Sequence, residues 1–218
     1  MYVYLMPGRG GKMTVPNTVD CPVGADDALA RLMDGNARFL RGEPRYTRTP
    51  VEVLADLAKG QRPFATILGC SDSRVPPELI FDAGFGELFI IRVAGHVVSP
   101  EVAGSLQYAG THLKTQLILV LGHEGCGAVQ AALAAKFEGA QERSRIQLLL
   151  QNLLPALDGV DPQLPTSQRL AFAVEANVRW TLRQILDSPE GRARMAEGRM
   201  KVAGAVCDIA TGRVRLIA

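Results

Sequence analysis

Three short apolar runs with helix-compatible segments between them most strongly constrain the fold of this chain. The runs cover residues 64–68, 88–93 and 117–121, and each is bounded by glycine or a polar cluster. Runs of this length and composition are typical of buried strands. Helical patterns follow the second and third runs at 101–113 and 128–137. Because an alternation of strand and helix closes a parallel sheet with helices on its faces, we predict an α/β fold with a mainly parallel core sheet.

The N-terminal region is predicted to contain a tail followed by helices. Residues 1–24 are rich in Gly and Pro and show no periodicity, which is typical of a flexible tail. Apolar residues of 26–40 share one helical face, and a second short helix is expected at 51–59. We therefore expect one domain spanning 25–218.

The C-terminal third is predicted to contain two helices and a hairpin. Apolar stripes mark helices at 146–157 and 167–186, the second with Ser167 as a candidate N-cap. Two strand-like segments, 202–208 and 214–217, flank a Thr-Gly pair. This pattern favours an antiparallel hairpin that adds edge strands to the sheet.

Composition excludes several classes of protein. The 218 residues carry a formal net charge of +2, which is too small an excess to indicate a nucleic acid or an acidic membrane as partner. No apolar run approaches the roughly 20 residues that cross a bilayer, and the N-terminus lacks a secretory pattern. We therefore expect a cytoplasmic protein. Because thiols stay reduced in the cytoplasm, the four cysteines favour metal binding or free thiols over disulfides.

Candidate metal ligands follow two of the predicted strands. Cys70 lies directly after the first strand, and His123 and Cys126 lie directly after the third. The carboxyl ends of parallel strands are where ligands and reactive groups collect. Two thiolates and one imidazole suit Zn²⁺, and three protein ligands leave a fourth position for water or for Asp72. The alternative is that both cysteines are inert buried thiols and that His123 is a structural residue.

Asp72 and Arg74 lie two residues apart in the turn after the first strand. They can form a charge-assisted bidentate pair that holds the carboxylate away from the metal. A surface ion pair with no role in the site is the alternative, since such pairs are common and contribute little.

These motifs resemble those of the β-class carbonic anhydrases. Cys70-Ser71-Asp72-Ser73-Arg74-Val75-Pro76 is similar to the first zinc motif of that family, and His123-Glu124-Gly125-Cys126-Gly127-Ala128-Val129 is similar to the second. The resemblance extends from about residue 28 to the C-terminal hairpin. It implies one zinc ion per subunit, held by Cys70, His123 and Cys126, and a catalytic Asp72–Arg74 dyad. It also implies reversible hydration of CO₂ to bicarbonate and a proton by zinc-bound hydroxide.

The resemblance extends to residues around the substrate. Gln61 is similar to the family glutamine that hydrogen-bonds bicarbonate, and Phe89 and Tyr108 are similar to residues that line the CO₂ pocket. His96 stands where many members carry Asn, so it is either a proton shuttle or a structural hydrogen-bonding residue. Because the family builds its pocket from two chains, a homodimer or a higher multiple of dimers is implied.

Two alternative functions remain open at this point. A zinc hydrolase of a related small molecule such as carbon disulfide would carry the same motifs, and so would a non-catalytic oligomeric scaffold stabilised by zinc. The charge of the site gives the enzyme hypothesis a specific expectation. Two thiolates neutralise Zn²⁺, so a bound water should have a pKa above the value of about 7 found with three neutral histidines. Hydration activity is therefore expected to rise towards alkaline pH.

Overall fold

A single mixed sheet organises the computed structural model, which describes residues 23–45 and 51–217. Within these residues the sheet has five strands in the spatial order β2-β1-β3-β4-β5. The first four are parallel to their neighbours, and β5 is antiparallel to β4. The prediction of a parallel core with an antiparallel hairpin at its edge is confirmed. In chain order the strands are β1 (Ala65–Gly69), β2 (Leu88–Arg92), β3 (Leu117–His123), β4 (Lys201–Cys207) and β5 (Val214–Ile217).

Helices flank this sheet at the positions that the sequence pattern indicates, with two additions. The described residues contain α1 (Ala25–Arg41), α2 (Val51–Leu57), α3 (Pro77–Ile80), α4 (Pro100–Thr111), α5 (Gly127–Phe137), α6 (Ser144–Leu153), α7 (Thr166–Asp187) and α8 (Pro189–Ala196). The short helices α3 and α8 were not predicted, because neither is long enough to show an apolar period. The prediction of Ser167 as an N-cap is wrong. Pro165 occupies that position without a side-chain cap, and α7 begins at Thr166.

The core consists of two apolar clusters, one on each face of the sheet. Every residue of β1 and β3 is buried, and neighbouring residues alternate between the clusters. Leu68 and Val120 belong to one cluster, and Ile67 and Leu119 belong to the other. Each fully buried aliphatic side chain contributes about 1.5 to 3 kcal/mol of transfer free energy. The ends of β1 and β3 are therefore rigidly placed.

Most of one predicted segment falls outside the described residues. The predicted tail, 1–24, includes Cys21 and lies almost wholly outside them, so the boundary at residue 25 stays a prediction. Over the described segments, every helix is too short or too polar to cross a bilayer.

Candidate metal centre

The three predicted metal ligands meet at the carboxyl edge of the sheet. β1 and β3 are adjacent and parallel, so Cys70 after β1 lies beside His123 at the end of β3. Cys126 immediately precedes α5. The ligand atoms of the three side chains all lie within 4.8 Å of one another. Each residue is buried, with 6% of Cys70, 1% of His123 and 2% of Cys126 exposed.

The imidazole of His123 is oriented as a metal ligand. Its Nδ1 lies 2.9 Å from the carbonyl oxygen of Glu124, which can only accept a hydrogen bond. Nδ1 therefore carries the proton, and Nε2 presents its lone pair to the cluster. Nε2 is buried and has no hydrogen-bond partner among the described residues. An unpartnered acceptor is costly in a dry site, so this atom fits a metal ion.

The two thiols supply the soft ligands of the cluster. The hydrogen bond with Cys126 lowers the pKa of the Cys70 thiol to about 3, although burial acts in the opposite direction. The same bond raises the pKa of Cys126, and burial raises it further. The shared hydrogen bond thus favours ionisation of Cys70 over that of Cys126. Two sulfurs and one nitrogen in a compact buried cluster match the preferences of Zn²⁺.

Asp72 and Arg74 form a bidentate ion pair at the rim of the cluster. Arg74 Nε donates to Asp72 Oδ1 at 2.9 Å, and Arg74 Nη2 donates to Oδ2 at 2.7 Å. The backbone amide of Arg74 adds a third bond, to Oδ1 at 3.0 Å. The guanidinium group holds the pKa of the Asp72 carboxyl well below its usual range. Asp72 is therefore ionised, and its Oδ2 lies 3.8 Å from His123 Nε2.

Arg92 also supports this loop, a role that the sequence analysis missed. Its Nε donates to the carbonyl oxygen of Cys70 at 2.9 Å, and its Nη2 donates to that of Asp72 at 2.5 Å. Arg92 is the last residue of β2, which pairs with β1 on the side opposite β3. The available signal was a cation at the carboxyl end of a predicted strand beside the one that leads to Cys70.

Gln61, Phe89 and Tyr108 lie away from the metal cluster. Gln61 is exposed and precedes β1, whereas Cys70 follows that strand, which spans roughly 15 Å. Phe89 pairs with Thr66 near the start of β1, and its ring centroid is 6.1 Å from that of Tyr108. Tyr108 is 38% exposed. A single chain therefore does not bring these three side chains to the candidate metal ligands.

His96 makes the structural hydrogen bond that was one of its two alternatives. Its Nδ1 lies 3.1 Å from the hydroxyl oxygen of Thr181, and the residue is buried. Burial lowers the pKa of the imidazole to about 4. Because the ring is neutral at physiological pH and shielded from solvent, this geometry favours structural support over proton shuttling.

Comparison with known proteins agrees with the fold and the metal cluster. Residues 65–214 match the family model described as carbonic anhydrase. The chain is 38% identical over 190 residues to a carbonic anhydrase of Mycolicibacterium smegmatis, covering 87% of this chain and 91% of that protein. It is 46% identical over 143 residues to carbonic anhydrase 2 of Mycobacterium tuberculosis, covering 66% of this chain and 67% of that protein.

Solved structures give the same result at greater evolutionary distance. A β-carbonic anhydrase of Coccomyxa, in complex with acetazolamide, superposes with a TM-score of 0.70 at 27% identity, covering 87% of this chain and 86% of that one. One of two tetrameric β-carbonic anhydrases of Sordaria macrospora gives a TM-score of 0.69 at 27% identity, covering 77% and 87%. Sheet and cluster thus define a protein of the β-carbonic anhydrase type. This chain belongs to the carbonic anhydrase family.

Proposed function

We propose that this chain catalyses the reversible hydration of CO₂ to bicarbonate with one zinc ion per subunit, bound by Cys70, His123 and Cys126. The observation that carries the proposal is the buried cluster, in which three ligand atoms lie within 4.8 Å and His123 Nε2 has no protein partner among the described residues. The carbonic anhydrases to which the chain is similar support the same reaction. When bound, zinc supplies a Lewis acid that makes a water molecule acidic enough to provide hydroxide for attack on CO₂.

Asp72 is proposed to orient the nucleophile. An ionised carboxylate can only accept hydrogen bonds, so Asp72 would accept one from a hydroxyl group beside the cluster and fix the direction of its lone pair. Arg74 contacts both carboxylate oxygens and so restrains Asp72 from acting as a fourth metal ligand. This contact favours the open form of the site over the closed one. An Asp72→Asn variant with undiminished turnover would exclude Asp72 from the mechanism.

The substrate pocket is proposed to require two chains. Gln61, Phe89 and Tyr108 lie at the opposite end of β1 from the cluster, and Gln61 and Tyr108 are exposed. If a partner subunit turns this end towards the cluster, Gln61 can hydrogen-bond bicarbonate while the two aromatic rings line the space for CO₂. A homodimer or a multiple of dimers follows, and the Sordaria structures are described as tetrameric. A cytoplasmic location and the absence of nucleic-acid or membrane partners stay predictions from composition.

One experiment tests the reaction: stopped-flow CO₂ hydration across pH, with zinc quantified in the same preparation. We expect about one zinc ion per chain and activity that rises towards alkaline pH, because the two thiolates offset the charge of the ion. A profile that is flat and maximal at mildly acidic pH would contradict the charge argument.

The same preparation separates the alternative functions. Hydrolysis of carbon disulfide without CO₂ hydration would assign the site to a different substrate. Bound zinc with neither activity would leave a structural scaffold. No specific contact in the described residues favours either alternative.

A further inference from the structure

Asn177 is a buried polar residue that the proposed reaction does not use. It lies in α7 with 1% of its surface exposed. Its Nδ2 donates a hydrogen bond to the carbonyl oxygen of Gly95 at 3.0 Å and lies 3.4 Å from His96 Nε2. Its Oδ1 is buried without a hydrogen-bond partner among the described residues. Because an unpaired buried amide oxygen costs free energy, the contact to Gly95 has to compensate for it.

Gly95 connects this carboxamide to the metal cluster. Its backbone amide donates to Cys70 Sγ, with a nitrogen-to-sulfur distance of 3.4 Å. Its φ of +63° lies in the left-handed region. A Cβ there would lie 3.1 Å from a methyl carbon of Leu153 and 3.3 Å from Cβ of Ala128, so close packing also favours glycine. The amide that reaches Cys70 thus belongs to a residue with broad intrinsic freedom.

Fixing the carbonyl group of Gly95 restricts that freedom. Asn177 of α7 holds the carbonyl group, and the surrounding side chains are in close contact. The N–H group of Gly95 therefore points in one direction, towards Cys70. A hydrogen bond to a thiolate withdraws charge from sulfur and reduces its donation to a metal ion. The orientation of one amide therefore affects the electronic properties of the cluster.

We propose that Asn177 is a positioning residue that, through Gly95, directs an N–H group at the sulfur of Cys70 and thereby sets how strongly that thiolate donates to the metal. The inference rests on the proposed zinc site. It adds a residue of α7, more than 100 positions after Cys70 in the chain, to the groups that control that site.

The test replaces the carboxamide and reads the metal–sulfur bond directly. Asn177→Leu keeps a similar volume and removes the donor. Thr181→Val is the matched control, because Thr181 lies one turn further along α7, is equally buried, and bonds His96 rather than Gly95. Each variant and the unmodified protein are loaded with cobalt(II). The sulfur-to-cobalt charge-transfer band is then recorded, and zinc affinity is measured by competition with a chelator.

We expect Asn177→Leu to shift the charge-transfer band to longer wavelength, because a sulfur without its hydrogen bond is a stronger donor. Its zinc affinity should nevertheless fall about 10- to 100-fold, the range found when groups supporting metal ligands are removed, because the loss of the contact that positions Cys70 outweighs the gain in donor strength. Thr181→Val should leave the band in place. An unchanged band in Asn177→Leu, or an equal shift in both variants, would overturn the proposal.

A second measurement applies if Asn177→Leu does not fold. The unmodified protein is loaded with cadmium-113, and scalar coupling between the metal and the Gly95 amide proton is sought by NMR. A detectable coupling requires the N–H···S contact and supports the proposal, whereas its absence in the loaded protein overturns it. Failure of the unmodified protein to bind cobalt, cadmium or zinc would instead remove the zinc site, and the positioning role with it.

Discussion

The two ends of β1 differ in how completely one chain builds them. At the carboxyl end, the three candidate ligands are at most 6% exposed and take their supporting contacts from Glu124, Arg92 and Gly95 of the same chain. At the amino end, Gln61 is exposed beside an open cavity of about 500 Å³. That cavity is lined by residues 53, 57, 59, 60, 62 and 85–87. The carboxyl end is therefore complete within one chain, whereas the amino end is open to solvent.

This difference reflects what each end has to provide. A metal site needs fixed ligands in a dry environment, and two adjacent parallel strands supply these within one subunit. A substrate pocket needs access from solvent and an apolar wall, which a second copy of the chain can provide at an open surface. The variants below test whether the two ends serve these separate purposes.

The largest effect is expected at the carboxyl end, from Cys126→Ser. Replacing a thiolate by a weakly coordinating hydroxyl should abolish zinc retention and reduce CO₂ hydration by about 1,000-fold or more. Metal analysis and stopped-flow kinetics check this prediction. Cys207→Ser is the control, because Cys207 is also a buried free thiol but lies outside the cluster. Normal zinc content in Cys126→Ser would contradict the assignment of the ligands.

A smaller effect is expected at the amino end, from Gln61→Ala. Losing one hydrogen bond to the substrate should reduce turnover by about 10-fold and leave zinc content unchanged.

Mixing this variant with Cys126→Ser tests whether one pocket combines residues of two chains. In an equal mixture, half of the dimers contain one chain of each variant. If each pocket combines one chain's cluster with the other chain's Gln61, one of the two sites in such a dimer is intact. Activity should then recover to about one quarter of the unmodified value.

The outcome of the mixing experiment depends on exchange between subunits, so the two variants are refolded together and separately. Activity in the mixture equal to the average of the two separate samples would place Gln61 and the cluster of one chain in the same pocket. That result would contradict a pocket shared between chains.

A third effect concerns stability and tests whether water is excluded from the carboxyl end. Burial lowers the pKa of His96 to about 4 from an ordinary value of 6.5. Between these values the unfolded chain binds a proton that the folded chain does not, so the free energy of unfolding decreases as pH falls from 6.5 to 4. The decrease is roughly 3 kcal/mol at most. Urea unfolding should show a shallower pH dependence for His96→Asn over this range. Identical slopes for the two proteins would mean that His96 is accessible to water.

The sequence predicts the carboxyl end better than the contacts that support it. The parallel strands and the two motifs follow from apolar runs and residue spacing, so the sequence predicts the class of sheet and the three candidate ligands. Arg92 and Asn177 were missed because their partners are backbone carbonyl groups, which residue types alone do not identify. The positions of Gln61, Phe89 and Tyr108 follow from strand direction. The family resemblance that singled them out implied a pocket built from two chains, without saying which chain supplies each residue.

The separation of the ligands along the chain has a consequence for biosynthesis. Cys70 follows β1, whereas His123, the last residue of β3, and Cys126 come more than 50 residues later. A ribosome must therefore translate the chain as far as Cys126 before a complete set of ligands exists. Binding of the ion is thus a late event in maturation. A nascent chain stalled before β3 would not bind zinc at this site.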